Sequence, residues 1–203
     1  MILAQIGAIL ADFDVKTAKI GLIPNSEIAR ELARFLAPFS ALSLVVDPVI
    51  GSTSGTRFLS REGVRELKRR LLPLAALVTP NWPEAEELTG LRVRSDRQAE
   101  AAALALSQEC GCAVLVKGGH GPGRVCRDCL VTRDGRIRWY SSPRVITRNT
   151  HGTGCVLSAG IALGLAKGLS LPAAVAAARR FLVTSLKKNR KVRLGGGRGP
   201  ALP

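Results

Sequence analysis

Asn149-Thr-His-Gly-Thr-Gly-Cys155 leads without a break into an apolar stretch, 156–167, and this junction decides the fold. Gly152 and Gly154 let the backbone turn tightly and aim successive N–H groups into one small space. The residues that follow start a helix, whose first N–H groups lack intrahelical partners and carry the positive end of its dipole. The expected product is an anion hole made by Gly152, Thr153 and Gly154. Cys155 falls in the first helical turn, where a thiolate is stabilised and the thiol pKa is lowered. No Gly-Lys-Ser/Thr follows the glycines, so this is not a Walker A loop. Taken alone, the segment reads equally as a helix cap with a buried cysteine.

Three upstream segments lift it above that. Val45-Val-Asp-Pro-Val49 ends a predicted strand with Asp47. Thr79-Pro-Asn-Trp-Pro-Glu84 ends another with Asn81 and Glu84 three apart across a strand-to-helix turn, and Val116-Lys-Gly-Gly-His120 ends a third with Lys117 and two glycines. In a parallel sheet these ends share one edge, where open α/β sheets bind ligands. Phosphoryl transfer needs a cation on the phosphates, groups that place Mg²⁺ and its waters, and donors for the charge on the group in flight. Asp47 and Asn81 are also ordinary turn residues, Glu84 an ordinary helix N-terminal acid and Lys117 an ordinary strand-end lysine; their coincidence at successive strand ends points to a ligand site.

The remaining pattern alternates short apolar runs with amphipathic stretches, which predicts an α/β fold with a mostly parallel central sheet and helices on both faces. Strands are expected at 17–22, 42–47, 77–79, 113–117, 129–133 and 137–140. Helices are expected at 27–36 capped by Ser26, 61–72 after Ser60, 83–89, 97–108 after Ser95-Asp96, 153–167 and 171–187. Asp134-Gly135 reads as a hairpin turn. Residues 3–12 read as the middle of an amphipathic helix whose apolar face needs cover.

The 203 residues fit one domain with a real core. No apolar run is long enough to span a bilayer, so no membrane association is expected. The N-terminus has neither a basic region nor a cleavage site, and a cytoplasmic location is the default. Lys187, Lys188, Arg190, Lys191, Arg193 and Arg198 are unaccompanied by acids, and setting them aside takes the formal charge from +15 to +9. With Gly195-Gly196-Gly197 and a Pro-Ala-Leu-Pro end, 187–203 reads as a solvated, linker-like basic tail. Aromatic residues are only 4%, too few to interleave with the cations as nucleic-acid binding requires, so nucleic acid is not the expected partner. A basic surface suits a phosphorylated small molecule instead. Cys110, Cys112, Cys126 and Cys129 form C-x-C and C-x-x-C, a spacing compatible with zinc, but C-x-C is a poor first half for a zinc knuckle and free thiols are expected.

On these residues the chain resembles the hydroxymethylpyrimidine/phosphomethylpyrimidine kinases of the ribokinase-like superfamily. The matching segments are Ala18-Lys-Ile-Gly-Leu22, Val46-Asp-Pro-Val49 with Ser54-Gly55, Leu72-Pro-Leu-Ala75, Val78-Thr-Pro-Asn81 with Glu84-Ala-Glu86, Leu115-Val-Lys-Gly-Gly-His120 and 149–158. Most of the superfamily resembles the Gly-Thr-Gly-Cys155 loop but carries Asp at the last position, and the preceding His151 narrows the match. The resemblance implies ATP-dependent phosphorylation of hydroxymethylpyrimidine or its phosphate to the diphosphate in thiamine synthesis. Cys155 would deprotonate or position the attacking oxygen, and Gly152, Thr153 and Gly154 would hold the γ-phosphate. Lys117 would contact the ATP phosphates; Asn81 and Glu84 would organise Mg²⁺ and its waters, with Asp47 nearby. Residues 1–186 would be the kinase domain, lacking the first strand and the glycine/serine-rich lid segment with which the family begins. Pyrimidine contacts are therefore expected to be sparse, and the chain as written poorly soluble and weakly active. The alternatives are a non-catalytic nucleotide-binding remnant and a related thiazole- or pyridoxal-type kinase. Homo-oligomerisation is left open.

Overall fold

Strands β2 (Ser43–Val46) and β4 (Ala113–Val116) alternate their side chains between two separate apolar cores. Leu44, Val46, Val114 and Val116 enter one, Val45, Ala113 and Leu115 the other. A strand buried on both faces reads as a continuous apolar run, and such strands require helices on both sides. The computed structural model describes residues 1–52, 55–197 and 199–202, so Ser54 of the motif and Arg198 and Pro203 of the basic segment lie outside the described residues.

The chain order is α1 (Ile2–Asp12), β1 (Thr17–Ile20), α2 (Ser26–Leu36), β2, α3 (Arg61–Glu66), β3 (Leu77–Val78), α4 (Trp82–Thr89), α5 (Asp96–Cys110), β4, β5 (Val125–Val131), β6 (Ile137–Pro143), α6 (Thr153–Ala166) and α7 (Leu171–Lys188). The six strands form one sheet in sequence order, β1 to β4 parallel and β5 and β6 antiparallel. Helices α2 to α5 cover one face and α6 and α7 the other. Helix α6 lies close on α7 because Gly160 and Gly164 leave no side chain between them: a Cβ on Gly164 would be 2.8 Å from the Ala174 Cβ. Among the described residues, no helix is long and apolar enough to cross a membrane.

Four sequence expectations are corrected. The cap of α2 is Asn25, whose Oδ1 accepts the Ile28 N–H at 2.8 Å, and Ser26 is already helical. The helix expected over 61–72 is α-helical only to Glu66, then widens into a π-turn, Leu67–Leu71, and a 3₁₀ turn, Leu72–Leu74. Pro73 is the cause: it lacks an N–H, and its ring excludes the carbonyl four residues back from a regular helix. Strand β5 begins at Val125, four residues early, and β6 runs on to Pro143, because antiparallel pairing from Val125↔Pro143 to Val131↔Ile137 sustains residues too polar and exposed to read as strand. Gly135 takes φ +80° in the turn between them.

The fourth correction concerns the C-terminus. Residues 189–197 and 199–202 are not a free solvated linker: Ala201 is buried, and the chain returns to pair with the loop before α6 through an isolated bridge, His151↔Pro200. At the other end, α1 lays Leu3, Ile6 and Leu10 against the core, while Ile2, Ile9 and Phe13 remain exposed.

Candidate active site

Parallel register gathers the functional side chains. Val46 pairs with Val78, and the ladder continues past the strands, with the Thr79 N–H on the Val46 carbonyl at 2.9 Å and the Lys117 N–H on the Pro80 carbonyl at 2.8 Å. Asp47, Thr79, Asn81 and Lys117 thereby arrive on one sheet edge. Lys117 Nζ donates to Asp47 Oδ1 at 2.6 Å, Thr79 Oγ1 donates to the same oxygen at 3.1 Å, and Ser158 Oγ reaches Asp47 Oδ2 at 3.4 Å. Asp47 is almost fully buried and the lysine side chain is 13% exposed, so the pair is screened little by water. A buried carboxylate with a cation and two hydroxyl donors is satisfied, as burial demands.

The N-terminus of α6 rests on this pair. A Cβ on Gly154 would lie 3.1 Å from Lys117 Nζ and 3.5 Å from Asp47 Oδ2. Glycine lets the first turn sit this close without displacing the end of Lys117. Gly152 is the N-cap, at φ +79°, a left-handed conformation natural to glycine. At Thr153 the N–H (3.4 Å) and Oγ1 (3.1 Å) both face the Thr150 carbonyl. The amides of Gly154 and Cys155 then follow in the turn that a helix leaves unpaired. Cys155 is exposed, not buried as in a plain cap.

Asn81 and Glu84 form a reciprocal capping box on α4. Asn81 Oδ1 accepts the Glu84 N–H at 3.0 Å, and Glu84 Oε2 accepts the Asn81 N–H at 2.7 Å. The Glu84 carboxyl is pushed up to about 7 by burial, against the pull of Lys117 and the Asn81 N–H and with a further push from Asp47. It is thus an under-compensated acid beside a lysine–aspartate pair, and would gain from a further cation. Among the described residues no group of three or more His, Cys, Asp or Glu side chains is arranged around a metal position.

Lys117 is fixed from behind. Gly118 donates its N–H to Asp128 Oδ1 at 2.7 Å, and a Cβ there would overlap the Arg127 carbonyl. Asp128 Oδ2 accepts Arg179 Nε at 2.7 Å, and both side chains are about nine-tenths buried. Arg144 holds the loop beyond, donating to the carbonyls of Gly119, Gly121 and Gly123 at 2.6–3.0 Å. The cysteines stand apart from this: all five are free, Cys110 and Cys112 interact with each other, and burial pushes Cys129 up to about 12.

Sequence reasoning missed Thr79, Ser158, Asn149, Asp128 and Arg179 as site-supporting residues. Ser158 was findable: it is four residues after Gly154 in an otherwise apolar helix, hence on the same face. Arg179 and Asp128 are 51 residues apart and carry no local signal.

A mixed sheet covered on both faces, with a glycine-rich helix start over a lysine at its strand ends, is the architecture of the ribokinase-like small-molecule kinases. The chain belongs to the phosphomethylpyrimidine kinase family, whose family model matches residues 1–202. It is 40% identical over 200 residues to the hydroxymethylpyrimidine/phosphomethylpyrimidine kinase of Haemophilus influenzae, covering 97% of this chain and 74% of that one. Among solved structures it is similar to an ADP complex of Bacillus subtilis pyridoxal kinase, with a TM-score of 0.88 at 28% identity over 98% of this chain and 74% of that one. It is also similar to the phosphomethylpyrimidine kinase of Clostridium difficile 630, with a TM-score of 0.79 at 33% identity over 91% of this chain and 75% of that one.

Proposed function

We propose that the chain phosphorylates hydroxymethylpyrimidine or its monophosphate with ATP, a step of thiamine synthesis. The observation that carries this is the Lys117–Asp47 pair lying directly under Gly154, with exposed Cys155 next in the same helical turn. The substrate hydroxyl oxygen forms a bond to the γ-phosphorus as the bond to the β–γ bridging oxygen breaks, and ADP leaves. Cys155 Sγ takes or steers the hydroxyl proton. The amides of Gly154 and Cys155, at the positive end of α6, and the Lys117 ammonium meet the charge on the group in flight. Asp47 acts through Oδ1, held by Lys117 and Thr79, as the counter-ion that fixes Lys117 rather than as a free base, and its Oδ2, 3.4 Å from Ser158 Oγ, is left for a cation.

Mg²⁺ fits the donor set: Glu84 and Asp47 are oxygen ligands, and Mg²⁺ is commonly held by one or two carboxylates together with phosphate oxygens and water. Glu84, placed by Asn81, and Asp47 would hold it there, and it would supply charge neutralisation on the phosphates.

The test is ADP release by the purified chain with hydroxymethylpyrimidine and with its phosphate. Turnover confined to a thiazole alcohol or pyridoxal would favour the second reading, a related vitamin kinase, for which the 0.88 TM-score to a pyridoxal kinase speaks. ADP binding without turnover on any of them would leave a nucleotide-binding protein.

A further inference from the structure

We infer that the C-terminal residues 189–197 and 199–202 form a positioning element of the anion-hole loop, acting through Asn149; this rests on the kinase reading above. Asn149 is 5% exposed, and its Nδ2 donates to two carbonyls of the segment, Asn189 and Val192, each at 2.8 Å. Thr147 Oγ1 donates to the Arg190 carbonyl at 3.1 Å and also accepts the Asn149 N–H at 3.1 Å, so both sides of Asn149 are tied to the same stretch. Further on, the His151 N–H meets the Gly199 carbonyl at 3.1 Å, and the Ala201 N–H meets the His151 carbonyl at 2.8 Å. Leu202 is anchored in turn on α7, its carbonyl accepting from Ser185 Oγ and from Asn189 Nδ2.

These bonds end where the anion hole begins. Asn149 is held by the chain just after α7 and His151 by its bridge to Pro200, and Gly152, the cap of α6, is next. Before Gly152 the loop has no helix or sheet of its own; it is the returning segment that gives it a ladder partner. Gly199 is the tight point of the clasp, since a Cβ on it would land on Asn149 Oδ1. The segment thus sets where the Gly154 and Cys155 amides point without touching the phosphates through Asn149 itself. An anion hole works only if its donors are aimed beforehand at the developing charge, so loosening the clasp falls on the transition state more than on ground-state nucleotide binding.

The test uses Asn149→Ala and Gly199→Ala in the full chain, with Leu106→Ala, a fully buried leucine in α5 on the opposite sheet face, as a stability control. Two readouts are taken: amide hydrogen exchange at Thr153 and Val156, whose N–H groups bond the Thr150 and Gly152 carbonyls, and kcat with KM for ATP. Each clasp variant is expected to speed loop exchange about tenfold or more and to lower kcat about 100-fold, with KM for ATP moving less than about threefold. Leu106→Ala should change neither readout. Because removing the Asn149 amide makes room for the methyl group introduced at position 199, the double variant should be no worse than Asn149→Ala alone. Loop exchange at the wild-type rate in both single variants, or fully additive losses in the double, overturns the inference. If the wild type shows no pyrimidine-dependent ADP release, the kinase reading fails, while exchange still decides whether the segment orders the loop.

Discussion

Lys117 and Asp47, 70 residues apart, form a 2.6 Å ion pair at the ends of two strands that are not neighbours in the sheet, and Gly154 closes over it. The pair joins sheet to loop. Removing one partner leaves the other charge buried and uncompensated, so Asp47→Ala and Lys117→Met should each lose about 3–5 kcal/mol in urea unfolding. The double variant should lose less than the sum. Additive losses would mean that the two side chains do not act as a pair.

Gly154→Ala separates stability from activity. The new methyl would press on an ammonium already held by Asp47, a contact that the end of a lysine side chain can relieve by giving a few tenths of an ångström. The variant should melt near the wild-type temperature while turnover falls at least about tenfold, as expected when a pre-aimed donor is displaced. Unchanged turnover would show that the contact between Gly154 and Lys117 is incidental.

Cys155→Ala should lower kcat by about 10²–10⁴-fold and leave ADP affinity intact. Cys155→Asp should recover part of the loss, since a carboxylate can serve the same proton. Wild-type turnover in the alanine variant removes Cys155 from the chemistry.

Glu84 predicts a pH dependence. Its folded pKa is raised from the ordinary 4.5 to about 7, chiefly by burial. Between those values the native state binds the proton that the unfolded state has released, so this group's stabilising contribution is full below about 4.5 and is lost as pH rises through about 7. Glu84→Gln keeps an oxygen for the Asn81 N–H and has no charge to bury. Measured in chelator, its unfolding free energy should stay flatter across that window and exceed the wild type by up to about 3 kcal/mol at pH 8. Parallel pH profiles would contradict the raised pKa.

Arg179→Met should take the cation from buried Asp128, whose other carboxylate oxygen accepts the Gly118 N–H behind Lys117. A loss of about 3–5 kcal/mol is expected by thermal or urea unfolding. A near-wild-type melt would show the pair to be dispensable.

Much of the molecule follows from interactions short in sequence. The Asn81–Glu84 box joins residues three apart, the turn at Gly135 needs one left-handed glycine, and the cap of α6 needs Gly152 followed by an apolar helix. Strands of consecutive Val and Leu announce burial on both faces before any partner is known. These features let the sequence by itself determine an α/β sheet with a glycine-rich helix start at its strand ends. What the loop rests on was decided only in three dimensions. Whether Lys117 meets phosphate or a carboxylate depends on strand order and register, and no local pattern states that Asp47 lies within its reach. The basic C-terminal segment has the composition of a solvated tail, because glycine, proline and lysine satisfy their backbones equally well in water. It is ordered by carbonyls that Asn149 and His151 can bond only after α6 and α7 have packed, and hydrogen bonds between backbone groups leave little trace in side-chain composition.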